Sequence, residues 1–189
     1  MSAAAAAGWE RFVELSAEEM RLRLTEALQV YVTAMRYPPS AMHHRGPTWL
    51  SHAVREGWRG VAALDHRGAM VGVAYGYRGA PGQWWYEQVN HGLLDTGHAA
   101  GAQHWLPDYF ELTELHVLPT AQGHGVGETL LRMLLDQAEG ANVLLSTPEG
   151  PSRAWRLYRR VGFEDVLRNY RFAGDPRPFA VLGRTLPLD

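Results

Sequence analysis

Between an apolar segment closed by Pro119 and a helical run from Gly127 to Ala138 lies the hexapeptide Gln122-Gly123-His124-Gly125-Val126-Gly127. Glycines at such a junction take positive φ and let a ligand approach the backbone closely. The first N–H groups of a helix have no partner within it and sit at the positive end of its dipole. Together they make a cradle for an anion, suited to a diphosphate. Just upstream, Glu111, Glu114 and His116 fall on one strand-like segment, with Glu111 of opposite parity to the other two unless a bulge intervenes. Carboxylates and imidazole in a central strand are costly to bury unless they work or pair, and the alternative is a solvated strand end.

Three phosphate-binding patterns compete for the loop. A P-loop needs Gly-Lys-Ser/Thr after its glycines, and this chain has no lysine: its 18 basic residues are all arginine. The dinucleotide fingerprint Gly-x-Gly-x-x-Gly does not fit glycines at 123, 125 and 127. The third pattern, (Arg/Gln)-x-x-Gly-x-(Gly/Ala), is matched by Gln122, Gly125 and Gly127. A plain glycine-rich turn before a packed helix remains the alternative for the loop alone. Two further stretches accompany it: Glu-Leu-x-x-Leu-x-Val-x-Pro-x-x-Gln from Glu111 to Gln122, and Ala154-x-x-Leu157-Tyr158-x-x-x-Gly162-Phe163.

These three linked motifs, spanning residues 109 to 163, resemble the core of the GNAT superfamily of acetyl-CoA-dependent N-acetyltransferases. The resemblance implies an α/β (α+β) fold, a mixed, mostly antiparallel central sheet flanked by helices, of the GNAT-like acyl-CoA N-acyltransferase kind. It implies acetyl-CoA as acyl donor; the residues themselves show no metal-ligand spacing, so no metal is expected. The backbone of Leu115 and Val117 would then pair with the pantetheine arm like an added strand, their side chains belonging to the core. An N–H near Leu115 would polarise the thioester carbonyl. The diphosphate would lie on Gln122, Gly123, His124, Gly125, Val126, Gly127 and Glu128. Glu111 sits eleven residues before Gln122, where some family members hold a general-base glutamate; Glu114 and His116 are the other candidates for base or proton relay. Tyr158 is the candidate acid for the departing thiolate, against the alternative of a buried tyrosine on an apolar helix face. Arg153 is the best placed of four arginines, with Arg156, Arg159 and Arg160, to reach CoA phosphates, if that face is not simply solvated. One departure stands out: the family often has Asn where this chain has Pro151, which puts a cofactor contact in doubt.

The elements that must position these residues are legible in outline. Residues 11–15 read as a strand, and Ser16 with Glu19 as a capping box opening a helix to about Arg36, stopped by Pro38 and Pro39. A second helix is expected over Thr48 to Glu56, after Pro47. Trp58 to Leu64 and Met70 to Tyr77 read as a hairpin around Asp65-His66-Arg67-Gly68. Tyr109 to Leu118 reads as a strand, Asn142 to Ser146 as another, Ser152 to Val161 as a helix, and Phe163 to Phe172 and Pro178 to Leu186 as final strands. Residues 78 to 108 are expected to carry a helix from Gln83 to about Asp95 and then a Gly/Ala/His loop holding His98 and His104. Such long connections often serve as lids or binding loops. His91, His98 and His104 lack metal-ligand spacing and read as surface histidines.

The 189 residues suit a single domain over 1–189 with a lid-like insertion at 78–108. A net charge of −2 sets up no field for nucleic acid or an anionic membrane. Without cysteine there are no disulfides, thiolate metal sites or thiol nucleophiles. The alanine run near the start lacks the flanks of a signal peptide, so a cytoplasmic location is expected. The resemblance places the acceptor near Tyr31, Met35, Arg36, Tyr37 and Pro38 and near the insertion. There Trp84, Trp85 and Glu87 suit an amine through cation–π contact and a carboxylate, unless the tryptophans are core. The expected reaction is direct transfer from acetyl-CoA to a small-molecule amine, with a homodimer compatible. A protein or peptide acceptor, or a CoA-binding sensor without chemistry, are the rival readings.

Overall fold

The structure, a computed structural model, describes residues 11–189; the alanine run at 3–7 lies outside the described residues. Strands β1 (Arg11–Leu15), β2 (Arg59–Leu64), β3 (Met70–Arg78), β4 (Tyr109–Val117), β5 (Asn142–Pro148), β6 (Glu164–Tyr170) and β7 (Phe179–Thr185) stand in the sheet order β1-β2-β3-β4-β5-β7-β6. The pairs β1–β2, β2–β3, β5–β7 and β6–β7 are antiparallel, while Tyr109–Glu111 of β4 runs parallel to Asn142–Leu144 of β5. The helices are α1 (Ala17–Leu22), α2 (Leu24–Met35), α3 (Ala41–His52), α4 (Trp84–Asp95), α5 (Ala99–Trp105), α6 (Val126–Asp136) and α7 (Arg153–Arg160). The sheet is thus mixed and mostly antiparallel with helices around it, as the sequence predicts. None of the described helices is long and apolar enough to cross a membrane.

The chain forms two compact units. The first holds residues 11–77 and Thr113–Ala138. Its helical start is capped as expected: Ser16 Oγ accepts from the Glu19 N–H at 3.1 Å, and Glu19 Oε2 accepts from the Ser16 N–H at 2.7 Å. The single helix expected to Arg36 is two, broken at Arg23, and α2 ends on Arg36 in the left-handed region at φ 56°. In the β2–β3 turn, Asp65 Oδ1 accepts from the N–H groups of Arg67 and Ala69 at 2.8 and 2.9 Å. The buried core gathers Leu28, Tyr31, Trp49, Val73, Tyr75 and Tyr77 among others.

The second helix of the sequence reading needs correction. It starts at Ala41, seven residues before Thr48, and ends at His52 rather than Glu56, with Pro47 inside it. The N–H groups of Ala41, Met42 and His43 reach back three residues to the carbonyls of Pro38, Pro39 and Ser40, so the proline pair seeds this helix as well as stopping the previous one. Pro47 removes one donor from the helix. Burial of Gly46 and of Trp49, 1% exposed, on the inner face offsets that loss.

The second unit holds Arg78–Leu112 and Glu139–Asp189, around a core of Trp85, Val89, Leu93, Trp105, Leu144 and Val181 with others. Gly79 lies so close to the Tyr109 ring that a Cβ there would fall 1.9 Å from it. The stretch after Asp95 expected as a loop is largely helix: α5 forms on an alanine-rich run and buries Trp105. His91 and His104 therefore sit on helices, and His98 is the residue that begins α5.

Candidate active site

Sheet and helix meet in the first unit at the glycine loop. A short 3-10 turn, Pro119–Ala121, leads out of β4, and the Gln122 side-chain amide donates back to the Val117 carbonyl at 2.9 Å, tying the loop to the strand end. Gly123 and Gly125 then adopt φ 81° and 80°, conformations that L side chains rarely adopt. A Cβ on Gly125 would meet nothing within 4 Å, so the glycine is needed for backbone conformation and the space beside it is open. Helix α6 begins at once, with Gly125 as its cap residue. Among the described residues, no backbone carbonyl accepts from the N–H groups of Gly123, His124, Gly125, Val126 or Gly127. Five donors in a row at a helix start are chemically suited to an anion. The acid in that first turn, Glu128, is drawn along the helix to Arg132 at 3.0 Å, which blunts its repulsion of an anion. Val126 is buried and anchors the turn from beneath, while His124 is exposed.

On β4 the parity argument holds: Glu114 and His116 share a face, with His116 Nε2 and Glu114 Oε2 2.5 Å apart. Glu111 is 3% exposed and pairs in register with Leu144 in the second unit. Glu114 is 7% exposed, and its other oxygen accepts from Arg45 Nη2 on α3 at 2.8 Å. The Arg45 guanidinium lies 5.4 Å from the centre of the Tyr31 ring, and that ring meets the His116 imidazole edge-on at 5.0 Å. Burial alone pushes the Glu114 carboxyl up, but the His116 hydrogen bond and the neighbouring positive charge, Arg45 above all at neutral pH, outweigh it. The net result lies below the usual carboxylate range. Burial pushes Tyr31 up to about 12, against the opposing charge of Arg45. A second layer lies behind: His52 Nδ1 is 2.9 Å from the Tyr75 hydroxyl, and Arg55 Nη1 donates to the Tyr77 hydroxyl at 2.6 Å. Burial, then the Arg55 charge, depresses His52 to about 4, so it is neutral at pH 7.

The side chains of Leu115 and Val117, expected in the core, are only half-buried, as is His116 between them. Tyr37 packs edge-on against Tyr31 at 5.5 Å. Arg45, His52 and Arg55 escaped the sequence reading. Arg45 lies 69 positions from Glu114, and nothing in its neighbourhood, His43-His44-Arg45-Gly46-Pro47, marks it as a partner of a strand carboxylate. The alternation of Tyr75 and Tyr77 was available as a signal that the two share one face.

The remaining predicted residues belong to the second unit. Tyr158 is 6% exposed on α7, its ring 5.5 Å from that of Phe163. Arg153 and Arg156 are exposed, whereas Arg159 is committed to Asp165 and to the Phe163 carbonyl. Trp85 is buried and donates from Nε1 to Ser146 Oγ at 3.1 Å; Trp84 is 55% exposed, its ring 5.8 Å from Phe172. Glu87 accepts from the Gly82 N–H at 2.7 Å.

Comparison with known proteins matches this arrangement. The family model described as the acetyltransferase (GNAT) family covers residues 28–163. A GCN5-like protein acetyltransferase of Mycobacterium tuberculosis is 51% identical over 201 aligned positions, covering 93% of this chain and 98% of the relative. The N-alpha-acetyltransferase RimI of the same organism is 42% identical over 71 residues, 36% of this chain and 45% of its own length. Among solved structures, the ribosomal-protein-alanine N-acetyltransferase of Brucella melitensis superposes with a TM-score of 0.61 at 20% identity, covering 94% of this chain and 100% of that one. The phosphinothricin acetyltransferase of Sinorhizobium meliloti in complex with AcCoA gives 0.55 at 20% identity, covering 93% and 88%. At those identities the structural likeness speaks for the fold.

Proposed function

The chain belongs to the GNAT acetyltransferase family, and from that premise we propose that it transfers the acetyl group of acetyl-CoA directly to an amine carried by a protein or peptide. The observation that carries the donor half is the run of uncommitted N–H groups from Gly123 to Gly127 beside open space at Gly125. Diphosphate oxygens accept from such donors, and the α6 dipole adds to the attraction. Acetyl-CoA supplies the activated acetyl thioester. The backbone of Leu115 and Val117 lines the pantetheine arm, and the Leu115 N–H polarises the carbonyl. Arg153 assists with phosphate, and Tyr158 gives a proton to the leaving sulfur. With no cysteine in the chain, no thiol is available to carry the acetyl group in between, which favours direct attack. Holding both reactants together then supplies much of the acceleration.

An aliphatic amine is protonated near pH 7, so a base must take its proton first. Glu111, Glu114 and His116 are the β4 candidates. The protein acceptor is favoured by the 51% identical relative, a protein acetyltransferase. A small-molecule amine is the second reading. It is favoured by the 78–108 segment, whose two helices carry the exposed Trp84 ring as an aromatic surface for a cation.

Calorimetry tests the donor half. Acetyl-CoA binds, and acetyl-pantetheine, which lacks the diphosphate, binds on the order of 100-fold more weakly. Equal affinity for the two removes the cradle from the argument. Thiol release with polylysine, lysine peptides and a panel of small amines tests the acceptor half. Faster turnover of small amines than of any peptide overturns the protein reading, and no turnover of any amine leaves a CoA-binding sensor.

A further inference from the structure

The chain Arg45–Glu114–His116, with Glu114 buried at its centre, has no task in the cradle, and its geometry is that of a device for proton transfer. We propose that His116 takes the proton of the acceptor amine, and that Glu114 and Arg45 are the positioning residues that hold its ring for the purpose. The inference rests on the acetyl-transfer reading above.

Both Glu114 oxygens are engaged, Oε1 by Arg45 at 2.8 Å and Oε2 by His116 at 2.5 Å. A carboxylate so held, and kept ionised by its partners, is a poor proton acceptor. Its hydrogen bond instead fixes the imidazole. With Nε2–H donating to Oε2, the lone pair stands on Nδ1, and the carboxylate stabilises the imidazolium that forms when Nδ1 is protonated. The Tyr31 ring, edge-on at 5.0 Å, keeps the imidazole from tilting. The groups facing the pair from other elements are Tyr31 on α2, Arg45 and His52 on α3, and Tyr75 on β3. Tyr31 stays a phenol and His52 stays neutral at pH 7, so Arg45 and Glu114 are the charges that act on the ring.

In the step itself, an ammonium proton of the acceptor moves to Nδ1. The freed lone pair forms the nitrogen–carbon bond to the acetyl carbon, and the carbon–sulfur bond breaks with its electrons left on sulfur. The nitrogen loses its second proton as it becomes an amide, and the thiolate takes one up, so that these two protons balance. His116 returns its proton to water.

The test compares kcat/KM against pH for the wild type, H116N, E114Q, R45M, R45K and E111Q, with polylysine as acceptor, or the best amine of the panel where polylysine is not turned over. Acetyl-CoA affinity is measured on each variant first, as a check that it is folded. H116N lowers kcat on the order of 100- to 1,000-fold with acetyl-CoA affinity kept, and flattens the acid limb of the profile. E114Q moves that limb to lower pH, because it removes the negative charge beside the ring. R45M moves it to higher pH, because it removes the positive one, and R45K brings it back. Opposite movements are not what loss of packing produces, and the E114Q movement alone decides where R45M does not fold. An acid limb that survives in H116N and vanishes in E111Q overturns the proposal and gives the base to Glu111. A limb unmoved in E114Q and R45M, with H116N at wild-type kcat, overturns it outright. Failure of the wild type to bind acetyl-CoA sinks the functional reading itself.

Discussion

Asp165 in the second unit and Glu114 in the first are each held between two nitrogen-bearing side chains, and water reaches only one of them freely. Asp165, its side chain 45% exposed, pairs with Arg159 and with Arg168 at 3.2 Å, and both arginines also lie over the Trp155 ring at 4.8 and 4.9 Å. Glu114, 7% exposed, pairs with Arg45 and His116. For both carboxyls burial works against the charge and the partners more than restore it, so both lie below their ordinary range. The difference is what happens when a partner is lost. At Asp165 water takes its place; at Glu114 a charge is stranded in a poor solvent.

The largest effect that distinguishes the two is therefore R45M, which leaves the buried Glu114 carboxylate without its arginine and costs about 3 kcal/mol of stability in urea unfolding. A loss no greater than that of D165A breaks the comparison. Next comes pH. A carboxyl with a depressed folded value contributes stability above its unfolded value, 4.5 for glutamate, and loses it as pH falls through the folded one. The stability gap between wild type and E114Q closes on acidification below that point, and a gap constant to pH 2 contradicts the ion pair. His52 adds a slope of its own. Between 6.5 and about 4 the unfolded chain binds a proton there that the folded chain refuses, so stability rises with pH across that window. H52Q removes the rise; an unchanged slope shows that His52 is not desolvated in solution. The smallest effect is D165A, worth less than about 1 kcal/mol and fading in 1 M salt.

The same contrast explains what could be read early. The glycine loop was legible because its conformation is carried by backbone over six consecutive positions. Gly123 and Gly125 do there what their lack of a Cβ predicts. The capping box at Ser16 and the Asp65 turn were legible for the same reason: each is a contact between residues at most four apart. The start of α3 was not, because Pro47 signals a boundary locally and only the packing of Trp49 carries the helix through it. Nor was α5, whose glycine and histidines read as loop until Trp105 is seen to be buried.

By itself the chain determined the family pattern, the order of most elements, the turn that opens α6 and the shared face of Glu114 and His116. These rest on local rules, in which a residue's conformation depends on its near neighbours. Only the tertiary structure decided which carboxylate has Arg45 for a partner, that both Glu114 oxygens are occupied, and that Tyr31 and a neutral His52 surround the pair. Charge and proton affinity depend on distance and on the exclusion of water. Both are set by residues tens of positions apart that folding brings to within about 3 Å, as with Arg45 and Glu114 at 2.8 Å.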